Sequence, residues 1–196
     1  MRRYSKRKTM NKIAFTLLEL VLVMAIMVLL CSYIFSTFYI INSSHADVAV
    51  LNDAKDYLAL NNRAIQNILC NASAASVDGS SIADVGGTGS IERIFVDAVS
   101  GRIVYSSGSS GTQFLLENYE QYKLSDGSDK WSIELSFYPN SGSQTVSYTI
   151  KLIDNATDTE YTQLQSSVYL PSADSSSVIS NGASSGTLYF KKVVIA

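Results

Sequence analysis

Apolar and polar positions divide the N-terminal part of the chain sharply. Residues 1–14 are basic and largely polar, whereas the run from Leu17 to Ile41 is almost wholly apolar. As an α-helix this run would be roughly 37 Å long, which is enough to cross the hydrocarbon core of a membrane. Because a basic segment beside an apolar run stays in the cytoplasm, the pattern predicts a single-pass membrane helix.

The apolar pattern then becomes one-sided without a helix-breaking residue. Apolar side chains recur at three- to four-residue spacing, with one gap, at Val50, Leu51, Ala54, Leu58, Ile65, Leu69 and Ala72. This spacing predicts an amphipathic helix with one buried face. Since no glycine precedes Gly79 and no proline precedes Pro139, we predict one continuous helix from about Phe15 to about Ala75.

Strand-like runs follow a loop rich in glycine and serine. They cover residues 91–98, 101–107, 131–139, 145–153, 161–170 and 187–196. Several alternate apolar and polar positions, as half-buried strands do. We therefore expect an α+β fold in which the amphipathic half-helix covers one face of an antiparallel sheet of four to six strands. Residues 112–124 fit a strand or a short helix, and residues 172–186 are expected to form a mobile loop.

Charge is distributed unevenly along the 196 residues. Six of the fifteen basic residues precede Ile13, and past residue 14 nine Lys/Arg face seventeen Asp/Glu, a difference of −8. An acidic body is a poor match for a phosphate backbone, so we predict no direct binding of nucleic acid. Cys31 and Cys70 would lie roughly 58 Å apart on one helix, which excludes a disulfide within the chain.

A single carboxylate, Glu19, lies near the start of the apolar run, and three interpretations of this segment compete. It could be a secretory signal peptide cleaved after Ser44-His45-Ala46, although its apolar run is longer than usual and passes directly into an amphipathic helix. It could be a simple anchor, with Glu19 at the cytoplasmic interface. The third interpretation follows from a resemblance.

The segment Ala14-Phe15-Thr16-Leu17-Leu18-Glu19, with its basic leader and apolar helix, resembles the processing signal of type IV prepilins and type II secretion pseudopilins. The resemblance implies that prepilin peptidase cleaves between Ala14 and Phe15 and methylates the new amine of Phe15. It makes Glu19 the fifth residue of the mature chain. An isolated carboxylate in lipid is costly, so we expect Glu19 to pair with the Phe15 amine of a neighbouring subunit.

The resemblance also implies a domain order and a set of partners. Residues 1–14 would be the removed leader, 15–41 the membrane and assembly half of the helix, 42–75 its amphipathic half, and 76–196 a β domain outside the cytoplasmic membrane. The implied function is structural: a subunit of a type IV pilus or of a related secretion or DNA-uptake filament. The implied partners are prepilin peptidase, other pilin or pseudopilin subunits, an inner-membrane assembly platform and the lipid bilayer.

Two departures from the family pattern refine this expectation. Ala14 replaces the commoner glycine, and Ser36 stands where many major pilins carry a proline. A helix without a proline kink is therefore expected, which favours a minor pilin or accessory pseudopilin. The alternative is a monomeric, membrane-anchored module that binds a ligand outside the membrane.

The sequence gives little support for an enzymatic function. Residues 182–186 match G-x-S-x-G, but the only histidine, His45, and the last acid, Asp174, both precede Ser184. One histidine and two distant cysteines exclude a zinc cluster. Calcium at Asp154–Glu160 is a less favoured alternative, because a solvated turn explains these residues. We predict no enzyme and no cofactor.

Overall fold

A computed structural model describes residues 17–83, 90–108, 111–116, 122–123, 128–174, 176–179 and 184–192. Ala14 and Phe15 lie outside the described residues. The chain divides into two compact units with the boundary between Ala49 and Val50. The described elements are α1 Leu17–Leu69, β1 Ala72–Ser76, α2 Gly79–Ala83, β2 Ile91–Val96, β3 Ile103–Ser107, β4 Gly111–Phe114, β5 Trp131–Pro139, β6 Thr145–Asp154, β7 Thr159–Tyr169, β8 Val178–Ile179 and β9 Leu188–Lys192.

The first unit consists, where it is described, of the N-terminal part of helix α1. Leucine, methionine and alanine favour helix, and no glycine or proline interrupts residues 17–49. Two hydroxyl groups in the apolar run are satisfied inside the helix: Ser32 Oγ donates to the Val28 carbonyl, and Thr37 Oγ1 donates to the Tyr33 carbonyl, both at 2.9 Å. Every side chain from Leu17 to Ala49 is exposed.

The second unit begins with the C-terminal part of α1, which buries one face. Its buried residues are Ala54, Tyr57, Leu58, Asn61, Ile65 and Leu69, at the spacing of a single helical stripe. Polar contacts tie this stretch to the strands: Tyr148 Oη donates to Asn62 Oδ1 at 2.7 Å, and Gln66 Nε2 donates to Ser166 Oγ at 3.2 Å. The amphipathic pattern thus identified the packed face.

Helix α1 ends earlier than its sequence predicts. It stops at Leu69, and residues 72–75, expected to be its last turn, belong to strand β1 instead. Alanine favours helix, but Ala72, Ala74 and Ala75 are wholly buried in a strand flanked on both sides. Small side chains allow this close packing, so tertiary context overrides propensity here.

A six-stranded sheet has the order β4-β3-β2-β9-β1-β8. Its neighbouring strands are antiparallel except β1 and β8, which run parallel. The C-terminal strand β9 lies between β2 and β1, so the end of the described chain closes the middle of the sheet. Residues 172–186, expected to be a loop, contribute β8 to this sheet, while residues 175 and 180–183 lie outside the described residues.

A second sheet contains β5, β6 and β7 in an antiparallel meander. Buried and less buried side chains alternate along β5 and β6, and the two strands contribute to the hydrophobic core Trp131, Ile133, Leu135, Phe137, Val146, Tyr148, Ile150 and Leu152. The hydrophobic core joins these residues to the buried face of α1 and to the buried side chains of the six-stranded sheet. The prediction of a single sheet was wrong, whereas the α+β class and the helix packed on antiparallel strands are confirmed.

Candidate functional site

Glu19 lies in the first described turn of α1, surrounded by apolar side chains. It is the only charged residue from Leu17 to Ser44, and Leu17 and Leu18 beside it are both highly exposed. Of the sequence-predicted site residues, Glu19 alone falls within the described part of the chain. The cleavage between Ala14 and Phe15 and the pairing of Glu19 with a neighbouring amine therefore stay predictions.

The surface around Glu19 is apolar on all sides of the helix. By length and composition α1 could cross a membrane, and it is the one helix of the described residues that could. Two shallow grooves interrupt this surface. Leu20, Val23, Met24, Met27 and Val28 line one of about 410 Å³, and the second, of about 270 Å³, lies around Ile40, Ile41 and Val48. Grooves of this kind can accept side chains from another helix.

A polar cluster that sequence reasoning missed joins three strands of the six-stranded sheet. Lys192 Nζ on β9 lies 3.1 Å from Glu92 Oε2 on β2 and donates to Tyr105 Oη on β3 at 2.8 Å. Glu92 is almost completely buried, whereas the Lys192 side chain is 38% exposed. The cluster fastens the last described strand to its neighbours. Because Lys192 lies 87 residues beyond Tyr105 in the sequence, only the strand order brings it to Glu92 and Tyr105.

Proton binding in this cluster reflects both burial and pairing. Burial raises the pKa of Tyr105, and Lys192 opposes part of that rise. Burial by itself would lower the pKa of Lys192, but the bonds to Tyr105 and Glu92 outweigh it and raise that pKa. The arrangement favours the neutral phenol and the charged ammonium. Its chemistry is that of a structural ion pair.

Residues considered for other chemistry remain separate in the structure. Ser184 is exposed just before β9, and Gly182 and Ala183 lie outside the described residues. Asp154 Oδ1 accepts a hydrogen bond from the Ala156 amide at 2.8 Å, so this acid stabilises the turn between β6 and β7. Within the described ranges no three His, Cys, Asp or Glu side chains are grouped to hold a metal ion. Cys31 and Cys70 are both free and exposed.

The fold has solved counterparts. It superposes on the PilB minor pilin from Streptococcus sanguinis with 10% identity and a TM-score of 0.49, and on a single-residue mutant of that pilin with 11% identity and a TM-score of 0.50. Each match covers 74% of this chain and 35% of the other, so the chain spans about a third of the length of the pilin that it matches.

No family model matches the sequence, and no curated protein matches it either. The structural match therefore concerns the fold alone. That fold has a long, apolar N-terminal helix and an α+β unit rich in antiparallel strands. In its fold, the chain is a type IV pilin-like protein.

Proposed function

We propose that the chain is a subunit of a type IV pilus or of a related secretion or DNA-uptake filament, as a minor pilin or accessory pseudopilin. The observation that carries the proposal is the exposure of every side chain from Leu17 to Ala49. The apolar part of this surface, from Leu17 to Ile41, is unfavourable in water and needs a covering. Lipid supplies it before assembly, and the helices of neighbouring subunits supply it afterwards.

Moving an apolar helix from lipid to a helix bundle gains little hydrophobic free energy, because lipid tails are as apolar as leucine. Packing contacts and polar pairs must therefore drive the step. Glu19 supplies such a pair: its carboxylate meets the α-amine of Phe15 from a neighbouring subunit. Because the two groups of this pair must meet, the pair favours one register between parallel helices.

The remaining partners follow from this role. Prepilin peptidase cleaves between Ala14 and Phe15, methylates Phe15, and so creates the amine that Glu19 needs. An assembly platform in the cytoplasmic membrane lifts the processed subunit into the filament, and the β domain faces outward. The match to a solved minor pilin fold supports the minor-pilin assignment, as does the absence of proline in α1.

Mass spectrometry of the mature protein tests this function. We expect a chain that begins with methylated Phe15, and immunogold labelling should find it in sheared filaments at low copy number. An intact Met1 would instead indicate a monomeric anchored binding module. A chain that begins at Asp47 would indicate a secreted protein released from its signal peptide, and either result would refute the filament assignment.

A further inference from the structure

Aromatic residues cluster at one end of the apolar helix. Tyr33, Phe35, Phe38 and Tyr39 lie within two turns and are 73%, 75%, 64% and 77% exposed. No aromatic residue occurs from Leu17 to Ser32, where the side chains are mainly aliphatic. We call residues 33–39 the aromatic belt.

Hydroxyl groups accompany these rings. The phenols of Tyr33 and Tyr39 and the Ser36 hydroxyl lie within the belt, whereas the Thr37 hydroxyl donates to the Tyr33 carbonyl inside the helix. Tyrosine combines an apolar ring with a polar tip, and for that reason it concentrates where lipid chains meet headgroups. The belt therefore has the chemistry of a bilayer interface rather than of the hydrocarbon core.

The distance to the last basic residue matches one bilayer. Lys12 is the last Lys or Arg before the apolar run, and residues 13–32 separate it from Tyr33. A membrane helix needs about 20 residues to cross a hydrocarbon core about 30 Å thick. The number of residues between the last cation, on the cytoplasmic side, and the first tyrosine, on the outer side, thus matches the thickness of one hydrocarbon core.

We propose that the aromatic belt binds the outer headgroup layer and sets the depth of α1 in the membrane. Within the described part of the chain, residues 17–32 then lie in the hydrocarbon core, and residues 38–41 lie at the boundary between lipid and water. A span ending at Ile41 would place the helix nine residues, or about 13 Å, deeper. The inference concerns the unprocessed chain in lipid, and it depends neither on cleavage nor on filament assembly.

Thiol accessibility distinguishes the two depths. The full-length Ser36→Cys chain is reconstituted into dioleoylphosphatidylcholine vesicles without peptidase, and a charged, membrane-impermeant thiosulfonate is added outside. Peptide mass spectrometry reads three thiols at once. The labelling of Cys70 gives the fraction of chains whose β domain faces outward. The labelling of Cys31 gives the accessibility of the position just below the belt.

We expect residue 36 to react at least about ten times faster than Cys31, because a charged reagent does not enter the hydrocarbon core and so does not reach a thiol there. Ser43→Cys, which is outside the hydrocarbon at either depth, serves as the control for full reactivity. Equal, slow reaction at residues 31 and 36 beside fast reaction at residue 43 would overturn the proposed depth.

A second variant tests whether the rings set this depth. Tyr33→Leu/Tyr39→Leu keeps the segment apolar but removes both phenols, so the helix should sink and the reaction at residue 36 should slow several-fold. Ile40→Leu, an aliphatic exchange beside the belt, should leave that rate unchanged. If the double variant reacts at residue 36 as fast as its parent, the belt does not position the helix.

Discussion

The rings of Tyr57 on α1 and Trp131 at the start of β5 lie 6.2 Å apart with 24° between their planes, and both side chains are almost completely buried. This stacked pair connects the packed face of the helix to the three-stranded sheet. Tyr122 adds a third ring, 4.8 Å from that of Tyr57. The helix is therefore held on the sheet by aromatic area as well as by hydrogen bonds.

Truncation of Tyr57 should destabilise the second unit. Tyr57→Ala removes a buried ring and leaves a cavity, and we expect a loss of about 3 kcal/mol in the free energy of unfolding. Leu60→Ala is the control, since Leu60 is 43% exposed and should lose less than about 1 kcal/mol. Urea unfolding of the full chain in detergent, followed by fluorescence of the single tryptophan, measures both. Equal losses in the two variants would contradict the packing described here.

Gly101 should not tolerate a side chain. Its φ is +62°, and an added Cβ would lie 2.6 Å from the Cβ of Ser132. Gly142 has a similar φ of +77° but faces open space, so it isolates the backbone cost. We expect Gly142→Ala to lose about 1 kcal/mol and Gly101→Ala about 3 kcal/mol, because strain and overpacking add at Gly101. Thermal unfolding of the two variants would show equal losses if Ser132 could move aside.

Alkaline pH should weaken the cluster that fastens β9. The pKa values of Tyr105 and Lys192 are raised above their ordinary values of 10.0 and 10.5, so both groups bind their protons more tightly in the folded chain. Their contribution to stability is complete below about pH 10 and declines as pH rises through the folded-state values.

Glu92→Gln tests this coupling. Removing the buried charge should lower both pKa values, so the free energy of unfolding should fall less steeply with pH above about pH 10. Glu134→Gln, which removes an exposed partner of Lys151 on the other sheet, is the control and should leave the slope unchanged. An unaltered slope in Glu92→Gln would show that Glu92 does not control these protons.

Processing should depend on the size of residue 14. If the proposed cut follows Ala14, a small side chain is needed beside the scissile bond, so Ala14→Leu should leave the basic leader attached. Ile13→Leu changes the preceding residue without changing its bulk, and it should be cleaved as usual. Apparent mass in cells with and without prepilin peptidase gives the answer, and normal trimming of Ala14→Leu would place the cut elsewhere.

Loss of Glu19 should impair assembly without affecting the fold or insertion. Glu19→Ala makes the membrane segment more apolar, so insertion should continue. The ratio of processed protein in sheared filaments to that in membranes should fall, because the variant lacks the carboxylate that we propose sets the register. In Glu19→Gln this ratio should fall as far as in Glu19→Ala if ionic pairing is essential. It should fall less far if a hydrogen bond suffices.

Asp47→Ala provides the matched control, since it removes an acid from the same exposed helix outside the apolar run. It should retain the normal ratio. If Glu19→Ala also retains it at normal expression, the pairing mechanism is refuted while the cleavage site is unaffected.

The pattern of apolar and polar residues was sufficient to predict those elements in which buried positions recur at a regular spacing. The apolar run and the one-sided stripe predicted a helix packed on strands, and alternation predicted β5 over the residues 131–139 that the structure assigns to it. The type IV pilin-like fold was likewise predicted from the segment around Glu19, because its basic, small, acidic and apolar positions are contiguous. Ala14 and Phe15 lie outside the described residues, so the roles of all three residues stay predictions.

Pairings between distant segments were decided by the tertiary structure. Residues 72–75 were predicted to be helical because no glycine or proline interrupts them, but β9 and β8 flank them and make them a strand inside the sheet. The division into two sheets and the meeting of Glu92, Tyr105 and Lys192 follow from the same strand order. A periodic pattern reports which face of an element is buried and contains no information on its neighbour across the sheet. That choice depends on backbone hydrogen bonds and packing between residues up to about a hundred positions apart, which exist only once the chain has folded.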